Sequence, residues 1–157
     1  MKKILFSFIA LAAVSLAMVS CGDENFAEPG NADVSPQAAG TYVGDLSTKD
    51  ETAPLVGQNL TVTVTYDESI ERVNTVTVSG TVTNSSTSRD YELLDTKTFN
   101  TSLANGSYVL TNSKNALSFA KITGDEIHYT LKLTPAGKMT AAGKFYTIVA
   151  KRVVQAE

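Results

Sequence analysis

The stretch Leu60-Thr61-Val62-Thr63-Val64-Thr65-Tyr66 alternates apolar and polar residues without a break. A period of two puts Leu60, Val62, Val64 and Tyr66 on one face of an extended chain and three threonines on the other, whereas a helix would scatter both sets around its axis. The same pattern returns in residues 127–134, where His128, Thr130, Lys132 and Thr134 fall on the polar side. In a third run Val76, Val78, Gly80 and Val82 face one way and Thr75, Thr77, Ser79, Thr81 and Thr83 the other. β-branched Val, Ile and Thr suit a pleated, half-buried surface. The chain is therefore expected to be all-β from Gly40 onward.

Turn-forming residues separate these runs. Ala53-Pro54 and Gly57 mark a loop near 50–57, Asp67-Glu68-Ser69 follows Tyr66, and Asn84 to Ser88 is polar throughout. Asn105-Gly106 signals a tight hairpin, because both residues tolerate positive φ. Asn112-Ser113-Lys114-Asn115, Gly124-Asp125 and Pro135-Ala136-Gly137-Lys138 complete the set. The strands this predicts are 40–48, 58–66, 72–83, 89–99, 106–111, 116–123, 126–134 and 142–151. Short links between antiparallel strands suit an eight-stranded up-and-down barrel, in which closure removes edges that Val/Thr-rich strands would otherwise expose to aggregation. A Greek-key β-sandwich shares the alternation and is the alternative. The last strand, Phe145 to Ala150, is apolar on both faces, as expected of a strand covered on its outside or lying at an interface.

The N-terminus has a separate purpose. Lys2 and Lys3 precede an uncharged segment, Ile4 to Val19. Its helical length of about 24 Å falls short of the ~30 Å hydrocarbon core, so it reads as a secretory signal rather than a span. The segment Met18-Val19-Ser20-Cys21-Gly22 resembles the lipobox of bacterial lipoproteins. The resemblance implies cleavage before Cys21, which carries the lipid, and several acyl chains together hold a protein stably on a membrane. Residues 21–39 then contain Asp23, Glu24, Glu28 and Asp33, no basic residue, and two prolines. Such a segment has too little apolar surface to offset chain entropy and is expected to be an acidic flexible tether. Asp23-Glu24 behind the cysteine resembles the acidic export signal of surface lipoproteins of the Bacteroidetes group, which implies a protein lipid-anchored in the outer membrane and facing outward.

Gly40-Thr41-Tyr42-Val43-Gly44-Asp45-Leu46 opens the 40–157 domain and looks like the first strand of lipocalin-related barrels. Lipobox, acidic tether and a disulfide-free β domain together resemble the calycin-like lipoproteins of the Bacteroidetes. The sequence has no Trp, so the resemblance leaves Tyr42 to close the barrel's end beneath Arg152.

Composition removes several function classes. A formal net charge of −3, made more negative when Lys2 and Lys3 leave with the signal, is wrong for a nucleic-acid binder. The aromatic residues do not interleave with basic clusters. A single Cys supports neither a disulfide framework nor a thiolate metal site. The one His, His128, sits on a polar strand face with no nucleophile in sight, and Ser118-Phe119-Ala120-Lys121 matches Ser-x-x-Lys only in letters, since period two puts its ends on opposite faces. The carboxylate pairs Asp50-Glu51, Asp67-Glu68 and Asp125-Glu126 fall at loop tips, without calcium-loop spacing. No phosphate-cradling glycine pattern is present. No enzyme, cofactor or metal site is expected.

A binding role remains. If the aliphatic faces point inward around a hollow interior, Tyr66, Tyr129, Leu131 and Leu133 would contact an apolar or amphipathic small ligand. The alternative is a non-enzymatic module that binds a surface protein partner (as accessory subunit, adhesin component or protease inhibitor) through its outer face or the loops 50–57 and 84–88.

Overall fold

The computed structural model describes residues 32–112 and 117–153. The signal segment, Cys21 and the tether through residue 31 lie outside the described residues, as does the turn at 113–115.

A one-turn helix, α1 (Ser35–Ala38), precedes eight strands: β1 (Gly40–Ser47), β2 (Leu55–Tyr66), β3 (Val73–Asn84), β4 (Arg89–Ala104), β5 (Ser107–Thr111), β6 (Ser118–Thr123), β7 (Glu126–Leu133) and β8 (Lys144–Arg152). Each strand pairs antiparallel with the next, and β8 returns to β1, so the sheet closes as an up-and-down barrel. Consecutive pairing all the way round excludes the Greek-key sandwich.

The alternation read from the sequence decides which face is inside. Leu60, Val62, Val76, Val78, Ile127, Tyr129, Leu131 and Ile148 point inward and have no accessible surface. Each buried aliphatic side chain contributes about 1.5–3 kcal/mol relative to exposure. Phe99 of β4 meets Tyr129 edge to face, with centroids 6.0 Å apart, the favourable arrangement of two ring quadrupoles. Asn105 and Gly106 both have positive φ, at 50° and 72°, and join β4 to β5 as a two-residue hairpin. That hairpin extends β4 five residues beyond the expected 99, because Asn100–Ala104 must ladder with β5 before the turn.

Two further boundaries move. Gly57 lies within β2 rather than in a loop: the strand begins at Leu55 and accommodates an irregularity between Gly57 and Thr61, where Asn59 takes φ 54° and donates its N–H to Asp45 Oδ1 at 3.0 Å. The end of the expected tether is ordered. Pro36 suits the first turn of α1, Ser35 and Ala38 are buried, and the helix packs against β2, β3 and β4.

The polar groups that hold α1 were hidden in the sequence because they come from distant segments. Asn74 Nδ2 donates to the carbonyls of Ser35 at 2.9 Å and Thr65 at 3.0 Å, and Thr101 Oγ1 donates to Asn74 Oδ1 at 2.5 Å. Asp33 Oδ1 accepts from the Ser35 hydroxyl and N–H and from the Arg72 N–H. The Ser35 hydroxyl, its N–H and the Arg72 N–H hold the Asp33 carboxyl below the usual carboxylate range, against a smaller opposing effect of burial. Asp33 is thus tied to Ser35 and Arg72, and α1 is seated at the end of the barrel where β1 starts.

Candidate functional site on the outer barrel wall

The four proposed ligand contacts do not line a hollow. Tyr129, Leu131 and Leu133 are core residues with no accessible surface. A side chain without accessible surface borders no space that admits a water molecule. Tyr66 is not in the interior: it ends β2 and is 42% exposed. The inward alternation that buries Val64 runs out there, at the end of the barrel that α1 occupies.

Tyr42 is fully buried near that same end. Its hydroxyl donates to the Ala38 carbonyl at 3.3 Å and accepts from Arg152 Nη2 at 2.6 Å, and the guanidinium lies 5.2 Å from the ring centroid. Burial raises the Tyr42 phenol above its ordinary pKa, with Arg152 opposing. The glycine two residues earlier makes this possible: a Cβ on Gly40 would lie 3.2 Å from Arg152 Cζ and Nε. At Gly44 a Cβ would come within 2.0 Å of the Val149 carbonyl, so only glycine lets β1 and β8 meet at the seam.

The accessible concavity lies outside. A groove of about 930 Å³ runs over the outward faces of β6, β7 and β8 and is bordered by the segment 47–50. The pairing register builds it in rows. Phe119, Thr130, Thr147 and Ser47 stand side by side on β6, β7, β8 and β1. In the next row toward α1, Lys121, His128 and Val149 are neighbours. Phe145 stands opposite Lys132 on the other side of the first row. Phe119 is 46% exposed and Phe145 is 51% exposed. On the outward side of β8, Phe145 is therefore uncovered and Val149 partly so.

Polar contacts set this surface. The Thr130 and Thr147 hydroxyls are 3.0 Å apart. His128 Nε2 lies 2.6 Å from Glu126 Oε1, on an exposed face. Lys132 Nζ sits 4.6 Å from the Phe145 centroid, a cation–π contact that covers one side of the ring. Ser47 and Thr48 donate to the carbonyls of Thr147 and Phe145 and tie the border segment to β8. Asp50 pairs with Lys144 at 3.0 Å. Hydrogen bonds from Thr52 first, and then from Lys144, pull the Asp50 carboxyl down to about 2.

Sequence reading missed a second polar feature. Leu93, Asp95, Lys97, Phe99 and Thr101 alternate along β4, opposite inward-facing Val78 and Val76 at Asp95 and Lys97. Two charges thus stand on an apolar face, an anomaly visible in the letters alone. Among the described residues β5 pairs only with Asn100–Ala104 of β4, and the upper half of β4 is where Asp95 and Lys97 form their ion pair at 2.9 Å, both side chains partly accessible. Asp95 Oδ2, Ser118 Oγ and Tyr129 Oη are buried without a hydrogen-bond partner. Burial pushes the Tyr129 phenol up to about 12, with the nearby Ser118 hydroxyl opposing and the Asp95 charge adding to the rise.

Ser118 is buried and Lys121 is exposed, so the Ser-x-x-Lys residues do stand on opposite faces. Among the described residues no group of three His, Cys, Asp or Glu side chains converges as a metal site. No protein-family model, curated protein or solved structure matches this chain.

Proposed function

We propose that this chain is a lipid-anchored, non-catalytic recognition module that binds its partner on the outer barrel wall. The membrane part of this reading rests on the sequence: a short uncharged signal, Cys21 at its boundary and an acidic segment behind it. In this reading Cys21 carries the lipid, the outer membrane is the anchor, and the barrel faces outward on its tether. The calycin-like lipoproteins remain the family it resembles.

One contrast carries the recognition part. The interior residues that would have met a small ligand have no accessible surface, while the outer wall carries a groove with two half-exposed phenylalanines. Exposed aromatic rings beside polar groups are what binding surfaces are built from, because the rings gain most on desolvation and the polar rim fixes orientation.

The test compares the full chain with the F119A/F145A double variant, both immobilised and exposed to outer-membrane extract. Wild type retains a component that the double variant does not. Equal retention by the two, or none by wild type, contradicts the outer-wall reading. The anchor is tested separately: C21S precursor takes up no radioactive palmitate, and labelling of that variant removes the lipoprotein assignment.

A further inference from the structure

We infer that the outer groove takes a neutral glycan chain, an inference that rests on the outer-wall reading and names its ligand class. The register fixes the spacing of the two rings. Phe119 and Phe145 are two strands apart across β6 and β8 and one two-residue step apart along them. Strand spacing and rise then put their Cα atoms about 12 Å apart, the span of a short oligosaccharide. A sugar ring has an apolar C–H face and a rim of hydroxyls. The C–H face matches the electron-rich face of a phenylalanine ring. Lys132 covers one side of Phe145 and leaves the ring half exposed for such a contact.

Between the rings the wall offers the hydroxyls of Thr130 and Thr147, in one row that Ser47 continues beyond β8. Thr130 and Thr147 share one hydrogen bond, which leaves the pair one proton and free lone pairs to meet a sugar hydroxyl. Charges of both signs line the groove, Lys49 and Lys121 with Asp50 and Glu126, while Lys144 at its border is held by Asp50 and Lys132 by the Phe145 ring. The mixed signs present no run of like charges along which a polyanion would track. A lipid tail would strip water from these hydroxyls and charges without replacing their hydrogen bonds, which costs free energy. In the groove β7 and β8 are paired on both sides, so no peptide can add there as a strand.

Native gel electrophoresis of the full chain in mild detergent tests this, with mixed-linkage glucan, xylan, galactomannan or soluble starch in the gel and dextran sulfate as the polyanion. At least one neutral polysaccharide retards the wild type, and F119A and F145A each weaken that retardation about tenfold, the equivalent of roughly 1.4 kcal/mol. Both rings are on the surface, so an unchanged thermal midpoint verifies that the variants fold. Retardation by none of the neutral polysaccharides, retardation by dextran sulfate alone, or equal retardation of wild type and double variant overturns the glycan assignment. If the double variant still loses a component of the membrane extract in that case, the glycan falls and the outer-wall reading stands.

Discussion

The Arg152 guanidinium donates to the Tyr42 hydroxyl at 2.6 Å and lies over the same ring at 5.2 Å, joining the last turn of β8 to the first turn of β1. Arg152 Nη2 also reaches the Gln37 carbonyl at 3.3 Å, so one side chain fastens both α1 and the seam. Y42F removes the hydroxyl that links Arg152 to the Ala38 carbonyl. It is expected to cost about 1–2 kcal/mol and to speed amide exchange in 37–39 more than in mid-barrel strands. Denaturant titration with exchange mass spectrometry measures both, and uniform exchange across the chain would show that the hydroxyl does not hold the helix.

Asn74 ties α1 to the barrel, because its amide donates to the Ser35 and Thr65 carbonyls and accepts from Thr101. N74A leaves these buried groups without partners and is expected to cost about 2–4 kcal/mol. T101V, which removes one donor only, costs less. Chemical denaturation of both variants ranks them, and an equal or reversed ranking contradicts the network.

Tyr129 makes the opposite prediction. Its ring packs on Phe99 while its hydroxyl is buried beside the Ser118 hydroxyl and the Asp95 charge without a hydrogen bond of good geometry. Y129F keeps the ring and deletes the orphaned group, so stability is expected to rise by about 1 kcal/mol. A thermal midpoint below wild type would mean that the hydroxyl has a partner in solution.

The border of the groove is sensitive to acid. Asp50 is held at about 2, below its ordinary value of 3.8, chiefly by Thr52 and then by Lys144. A carboxyl depressed on folding contributes stability above its unfolded pKa, and that contribution fades as pH falls from about 4 toward 2. The Asp50 carboxyl carbon, followed by NMR, is therefore expected to titrate near 2 in wild type and to move up in K144Q. A midpoint at 3.8 in wild type would show that Thr52 and Lys144 do not engage it.

Much of the fold was legible because period-two patterning reports directly on which face is buried. Leu60, Val62 and Val64 turn inward as their spacing required, and Asn105-Gly106 makes the hairpin its dihedral tolerance allows. What patterning cannot report is contact between distant segments. The seating of α1 depends on Asn74 and Thr101, far from Ser35 in the chain, so residues 33–38 looked like solvated linker. Whether the interior is hollow was not legible for a related reason. Alternation identifies Tyr129, Leu131 and Leu133 as inward but does not say whether the space between them is filled. Phe145 and Val149, apolar on the outward side of β8, pointed to a strand covered on its outside or lying at an interface, and Phe145 is half-exposed. Asp95 and Lys97 on the apolar face of β4 were another readable anomaly, and their partial exposure goes with a β5 that reaches only Asn100–Ala104 of β4.

Whether the barrel is filled decides between recognition inside and recognition on the wall, and xenon-pressurised crystals of the chain measure it directly. Xenon enters dry apolar cavities of sufficient volume. A filled barrel predicts no xenon among Tyr129, Leu131, Leu133 and Ile148. An ordered xenon site enclosed by these residues would show a ligand-sized interior and contradict the outer-wall account.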